Sequence, residues 1–339
     1  MQQIFDIDCA RKVPKYLQII NSVNNSIKLG KLKKGDKILS INELSNEFFL
    51  SRDTVQKAYD ALEEKGIILP IRGKGFYINR TDVTNQYRIL LVFNKISNYK
   101  KQIYNAFVSA LGSNAIIDLK IFHCNTKIFK ELIEENLGEY DYYVIMPHFY
   151  EQEADAYKTI AMIPKDQLLV LDKDLCASRE KYMAVFQDFQ HDIEDALESG
   201  LDLFSKYRKL YLVYPKTVPY PYEIVVGFRT FCMQYNFAYK IIHEVTEHTP
   251  IEKGEAFVVI EETDLVNAIK ICKTQGFETG RDVGLVSYNE TPLKAILADG
   301  ITVISTDHAK MGETAARLIL NRSINKIKNP FHLIRRNSL

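Results

Sequence analysis

Between Ser40 and Lys74 lie side chains whose types and spacing suit one chemistry, contact with the charged edge of a nucleic-acid duplex: Ser40, Asn42, Ser51, Arg52, Thr54, Gln56, Lys57, Arg72, Gly73 and Lys74. Arginine and lysine neutralise phosphates, and serine and threonine hydroxyls donate to phosphate oxygens. Asparagine and glutamine carry a donor and an acceptor on one planar amide and match an adenine edge, whereas arginine matches guanine. Such groups read a groove only when a helix and a slim loop present them. In the helix beginning at Ser51, Val55, Ala58, Tyr59 and Leu62 recur at three- and four-residue steps, so one face packs inward while Asp53, Gln56, Lys57 and Asp60 point out. Ser51 is placed to cap it. Glu63 and Glu64 end the helix, so its first turns approach DNA best.

The supporting elements follow from the same periodicity. A short helix from Ile41 to Phe48 is expected to bury Ile41, Leu44 and Phe48, and a longer one from Pro14 to Leu29 to bury Tyr16, Ile19, Ile20, Val23 and Ile27. After Gly66, the runs Ile67 to Ile71 and Phe76 to Ile78 read as two strands joined by Arg72-Gly73-Lys74-Gly75. The glycines permit positive φ and a close backbone approach to phosphate, giving a narrow basic hairpin able to reach a minor groove.

Taken together, Pro14-Lys15-Tyr16, Ile27 followed by Gly30-Lys31-Leu32, Gly35-Asp36, Ser40, Glu43-Leu44, Ser51-Arg52-Asp53-Thr54-Val55, Ala58, Leu62, Gly66 and Gly73-Lys74-Gly75 resemble the winged helix-turn-helix of the GntR family across roughly residues 12 to 79. The chain departs from that pattern at Leu39, where the family usually has proline, and at Asn42 and Gln56, where it often has arginine. An operator preference shifted toward adenine is the expected consequence.

At 339 residues and 46% hydrophobic, the chain is long enough for a small domain plus a large one. The net charge is only +1, yet residues 1 to 80 hold 14 Lys and Arg against 9 Asp and Glu, so the basic surplus lies with the DNA-contacting groups. Cys9, Cys124, Cys176, Cys232 and Cys272 show no paired spacing and read as reduced core thiols. The opening MQQIFDIDCARK lacks a secretory pattern and no apolar stretch nears membrane length, so a soluble cytoplasmic chain is expected, not a membrane protein. The histidines do not cluster on a helix face, and neither a Ser/His/Asp arrangement nor a phosphate-cradling loop is visible. No catalytic residue, metal or cofactor is therefore expected.

From Arg88 onward, apolar strands alternate with amphipathic helices, the pattern of an α/β domain with parallel sheets covered on both faces. Strands are expected near 88–94, 116–122, 142–146, 167–172, 182–187, 208–214, 239–243, 256–260, 282–287 and 301–305, after a polar linker. The expected organisation is a winged helix-turn-helix (α+β) over 1–79, a linker over 80–87, and an α/β effector domain over 88–339.

Val185-Phe186-Gln187-Asp188, Val226-Gly227-Phe228, Gly276 followed by Asp282-Val283-Gly284-Leu285-Val286-Ser287-Tyr288-Asn289, Ile301-Thr302-Val303-Ile304, Met311-Gly312 and Ala315-Ala316 resemble, in that order, the effector domain of LacI/GalR regulators. These regulators are themselves similar to periplasmic sugar-binding proteins. The resemblance implies a two-lobed periplasmic-binding-protein-like fold with the ligand in the cleft, and a homodimer that represses carbohydrate genes from a pseudo-palindromic double-stranded operator. Lobe 1 is expected at about 88–189 and 292–322, lobe 2 at about 190–291 and 323–339. A small effector such as a monosaccharide needs planar polar groups and aromatic rings at strand ends. Asn94 ends the first strand, and the match places Asp188, Glu261 and Asn289 in the cleft, with His148, Phe149, Tyr220 and Tyr222 as candidates to shape it. Asp188 could equally cap a helix, Asp307 reads as a cap, and Ile224 stands where the family often has arginine. GntR-type readers are also fused to aminotransferase-like domains, but the roughly 250 residues after 88 are too few for that fold.

Overall fold

Serine hydroxyls start both outward-facing helices of the amino-terminal region, because each accepts from a backbone N–H that the first helical turn leaves without a partner. In the computed structural model, which describes residues 4–8, 13–81, 86–151, 153–175, 181–216 and 218–339, this region runs α1 (Lys15–Lys28), β1 (Lys37–Ile38), α2 (Ile41–Glu47), α3 (Arg52–Glu64), β2 (Ile68–Ile71) and β3 (Gly75–Ile78). Ser40 and Glu43 form a reciprocal capping box on α2, and Ser51 caps α3 by accepting from the Thr54 N–H. Ile19, Val23, Leu44, Val55, Ala58, Tyr59, Leu62 and Ile78 share one core, while Tyr16, Ile41 and Phe48 are half-buried at its edge rather than within it. β1 pairs antiparallel with β3 (Lys37↔Tyr77), and β2 pairs with its other side (Ile68↔Ile78). Two residues of β1 leave no alternation to read, so this strand was not foreseen.

Residues 4–8 add a feature that periodicity does not announce. Gln18, Ser22 and Ser26, one turn apart on α1, bond the arm's backbone: the Asp8 N–H donates to Gln18 (2.9 Å), the Asp6 N–H to Ser22 (3.0 Å), and the Ser26 hydroxyl donates to the Ile4 carbonyl (2.9 Å). Phe5 is buried there, edge-on to Phe48.

In the turn between α2 and α3, Phe49 adopts φ +53° with 95% of its surface exposed. A side chain in the left-handed region clashes with its own carbonyl, and this one gains no burial in return. Phe49→Gly is expected to raise the unfolding free energy by about 1 kcal/mol, read from urea midpoints; an unchanged midpoint would mean that the turn is unstrained.

The chain forms two compact units, one comprising residues 1–89, 113–118 and 133–141, the other the remainder. The regular elements after the linker are β4 (Tyr87–Phe93), α4 (Asn98–Leu111), β5 (Ala115–Ile121), α5 (Thr126–Asn136), β6 (Tyr142–Ile145), α6 (Glu153–Ile160), β7 (Leu168–Asp172), β8 (Met183–Phe186), α7 (Phe189–Glu198) and α8 (Leu201–Phe204). They continue with β9 (Lys209–Val213), α9 (Glu223–Gln234), β10 (Ala238–Ile242), β11 (Glu255–Val259), α10 (Glu262–Gln275), β12 (Val283–Tyr288), β13 (Thr302–Thr306), α11 (His308–Leu320), β14 (Lys326–Lys328) and β15 (Phe331–Ile334). Of the expected linker, residues 82–85 lie outside the described residues.

Two six-stranded sheets result, ordered β14-β8-β7-β6-β4-β5 and β10-β9-β11-β12-β13-β15. Strands such as Tyr142–Ile145 and Val283–Tyr288 are buried along their whole length, as parallel strands covered on both faces must be. The lobe boundaries differ from expectation at two strands. β13, expected in the first lobe, pairs with β12 in the second sheet (Val286↔Thr302), and β14, expected in the second, pairs with β8 in the first (Lys326↔Ala184). Only α11 of residues 292–322 returns to the first lobe, where it packs along α4. The contact is close because Gly312 has no Cβ; one placed there would lie 2.4 Å from the Ile103 carbonyl oxygen.

Asn329 fastens the crossings. Its N–H donates to the Phe186 carbonyl (2.8 Å), and its side-chain amide donates to the Thr306 hydroxyl (2.7 Å) and the Asp307 carbonyl (2.8 Å). Cys124, Cys232 and Cys272 are buried free thiols. No helix among the described residues is long and apolar enough to cross a membrane.

Candidate DNA-contacting surface and interlobe cleft

Asn42 on α2, Arg52, Gln56 and Lys57 on α3, and Arg72, Gly73 and Lys74 at the hairpin tip are all exposed; Thr54 is half-buried. Ser40 and Ser51 are engaged as caps, and the Ser51 and Thr54 hydroxyls lie 2.7 Å apart. Gln56 donates to Asp60 (2.6 Å), and the Lys57 ammonium sits 4.1 Å from the Tyr16 ring centroid, so each must leave a partner to reach a base or phosphate. Gly73 takes φ +74°, and the Lys74 N–H closes the turn on the Ile71 carbonyl (2.9 Å). Tyr59 connects helix and hairpin: its hydroxyl donates to the Leu39 carbonyl (2.6 Å) and its ring meets Phe76 edge-on at 4.8 Å. The helix face and the wing are thereby held in one rigid body.

Between the lobes of the second unit, a cleft with about 420 Å³ of atom-free space, the open solvent at its mouth included, is lined by Asn94, Tyr99, Lys100, His148, Asp172 and Gln187 from one side. Tyr220, Tyr288, Asn289 and His308 line it too, with an apolar wall of Phe189, Val218, Pro219 and Pro221. Asp172 ends β7 with φ +74° and Asn289 follows β12 with φ +64°, two left-handed turns that aim planar polar side chains at the cavity.

Asp172 is the hub. One oxygen accepts from His148 Nε2 (2.7 Å), the other from the Gln187 amide. Burial opposes ionisation of Asp172, but His148, Lys100 and Gln187 outweigh it and hold its carboxyl down at about 2. His148 is pushed below the usual histidine range by burial, so its ring is a neutral donor. Burial likewise lowers Lys100 to about 7 and His308 to about 4. Among the described residues the Gln187 carbonyl oxygen and the Tyr288 hydroxyl are buried without a partner. Such groups cost free energy unless something completes their bonding.

His308 stays neutral in the fold down to about 4 but takes a proton near 6.5 once unfolded, so the unfolded chain binds more protons in that window. Stability is therefore expected to fall as pH drops from 6.5 to 4, and His308→Phe to flatten that decline in urea titrations; identical slopes would trace the loss to other groups.

Of the six candidate effector residues, the fold brings Asn94, His148 and Asn289 together on the cavity. Asp188 instead caps α7 and faces His191 (2.9 Å). Glu261 stands at the mouth, 3.8 Å from Lys95, and Tyr222 is exposed at the start of α9, where it accepts from Arg229. Tyr220 lines the cavity, while Phe149 packs on Phe122 and Phe129, and Ile224 is buried in the second lobe's core. Lys100, Asp172, Gln187, Tyr288 and His308 were not singled out from the sequence. One signal was present: Lys100, Ile103, Phe107 and Leu111 share the buried face of α4, so a lysine occupies an apolar stripe.

Comparison with known proteins agrees with this architecture. Residues 15–78 match the model of bacterial regulatory proteins of the gntR family, and residues 205–338 that of the periplasmic binding protein-like domain. The HTH-type transcriptional repressor YtrA of Bacillus subtilis is 35% identical over 107 residues, 32% of this chain and 78% of that protein. The arabinose metabolism transcriptional repressor of Geobacillus stearothermophilus is 22% identical over 372 aligned positions, covering 97% of this chain and 98% of that one. The Lac repressor bound to ONPG in its repressed state shares the fold at a TM-score of 0.62 and 16% identity, over 86% of this chain and 92% of that chain. With an amino-terminal reader of this sequence and geometry, the chain belongs to the gntR family of bacterial regulatory proteins.

Proposed function

We propose that this regulator is a cytoplasmic, homodimeric repressor of carbohydrate-utilisation genes whose grip on a pseudo-palindromic operator changes when a monosaccharide enters the interlobe cleft. The observation that carries the reading is the cavity itself, in which Gln187 and Tyr288 present unpartnered polar atoms beside an apolar wall, the surface a polyol needs. A relative aligned over the length of the chain that represses arabinose metabolism supports the same ligand class. Residues 1–79 act as the reader, with Arg52, Lys57, Arg72 and Lys74 on phosphates and Asn42 and Gln56 on base edges. Residues 88–339 act as the sensor. An aminotransferase-like second domain has no support, since the relatives reported above are regulators.

Switching requires that the ligand favour one lobe arrangement over the other. Near-complete transfer between bound and free operator takes roughly a 10⁴-fold difference in effector affinity, about 5.5 kcal/mol. A duplex selected from a random library, followed by fluorescence anisotropy against a panel of monosaccharides, tests the scheme. At least one sugar is expected both to shift operator affinity and to raise the melting temperature. If the whole panel leaves both unchanged, the cleft is not a sugar-sensing site.

A further inference from the structure

Lys100 enters the cleft from α4 with only 2% of its surface exposed. Among the described residues its ammonium makes a hydrogen bond to the Asn94 side chain and no ion pair within 4 Å. The neighbouring carboxylate, Asp172, makes no ion pair with it within 4 Å and instead accepts from His148 on one oxygen and Gln187 on the other. The mouth carboxylate, Glu261, faces Lys95. A cation taken out of water is stabilised far better by an anion than by one neutral acceptor, and this one has N–H donors to spare in the cavity that Tyr288 and Gln187 also line.

We infer that the effector is an acidic sugar, a polyhydroxy compound carrying a carboxylate or phosphate group, and that its anionic end seats on the Lys100 ammonium. Gln187 can accept only from a donor, so the ligand must also offer a hydroxyl; the two requirements together select a hydroxylated anion over a simple one. The inference rests on the reading of the cleft as the effector site and narrows its ligand. Burial is the main cause that holds Lys100 at about 7, with Lys95 lowering it further and Asp172 and Cys124 raising it; the other titratable groups around it are Tyr99, His148 and His308. An incoming anion shifts Lys100 upward, so binding at pH 7 is accompanied by proton uptake.

Isothermal titration of the full-length protein compares aldoses with the aldonates, uronates and sugar phosphates of the same carbon skeleton, in buffers of different ionisation enthalpy. An acidic member is expected to bind roughly 10- to 100-fold more tightly than its neutral counterpart, with proton uptake. The carboxylate and phosphate arms separate the two anion types. Lys100→Met is expected to remove that preference and Lys100→Arg to restore part of it, each variant being checked by its operator binding without effector. An aldose that binds as tightly as its acid, without proton uptake, overturns the inference and leaves the sugar-sensing reading standing. Failure of both classes to bind overturns both.

Discussion

Asp172→Ala is expected to lower the unfolding free energy at pH 7 by about 3–5 kcal/mol, because it strips a buried network of the anion that His148 and Gln187 share. The His148 and Gln187 donors lose their acceptor, and Lys100 loses the countercharge that raises it. Alanine must also hold the φ of +74° that aspartate tolerates better. Asp172→Asn separates these effects, since it keeps the turn and one acceptor while removing the charge. The stability that Asp172 contributes is present above its unfolded value of 3.8 and is lost as pH falls through about 2. The gap between wild type and Asp172→Ala, read from urea unfolding at a series of pH values, should therefore narrow toward pH 2. A gap of constant size would mean that geometry and not charge accounts for the loss.

Arg52→Ala and Lys74→Ala are expected to weaken operator binding without unfolding the reader. Both side chains are exposed, so stability should stay within about 0.5 kcal/mol. Arg52→Ala, at the first position of α3, is expected to weaken binding on every sequence and to make its salt dependence shallower, as the loss of a phosphate contact does. Lys74, at the wing tip, is expected to weaken all sequences alike and to reduce the slope of log affinity against log salt by about 0.9. The double variant should then lose affinity by the sum, the two sites lying on different elements. Anisotropy titrations at several salt concentrations measure both quantities, and an unchanged slope in Lys74→Ala would remove the wing from the DNA contact.

The reader was legible almost residue by residue, because helix caps, a three-to-four periodicity and glycine-tipped hairpins are local signals. Ser40, Ser51, Val55, Tyr59 and Gly73 announce their roles within a few positions of themselves. The strands of the sensor were legible for a related reason: a run such as Leu168–Asp172 needs burial on both faces wherever it ends up. The cleft was only half visible. Asn94, His148 and Asn289 follow strands, where a search for ligands begins, but Lys100 and His308 sit in first turns of helices and reach the cavity only through lobe packing. Asp172 was in view as the end of its strand, yet nothing local says that it turns left-handed into the cavity while Asp188 turns to cap a helix. The assignment of β13 and β14 failed likewise, because a crossing between lobes is decided by long-range pairing that short strands do not encode.

The position of Asn329 sets a lever rule for this molecule. Its three hydrogen bonds gather the passages at Phe186, Thr306 and Asp307 into one swivel pin, and Gln187 and His308 are the next residues along two of them. A turn of the lobes about that pin would move these two neighbours least, because displacement grows with radius. Exchanging this near-axis pair would then alter which molecule is tasted and leave the swing of the jaws as it was.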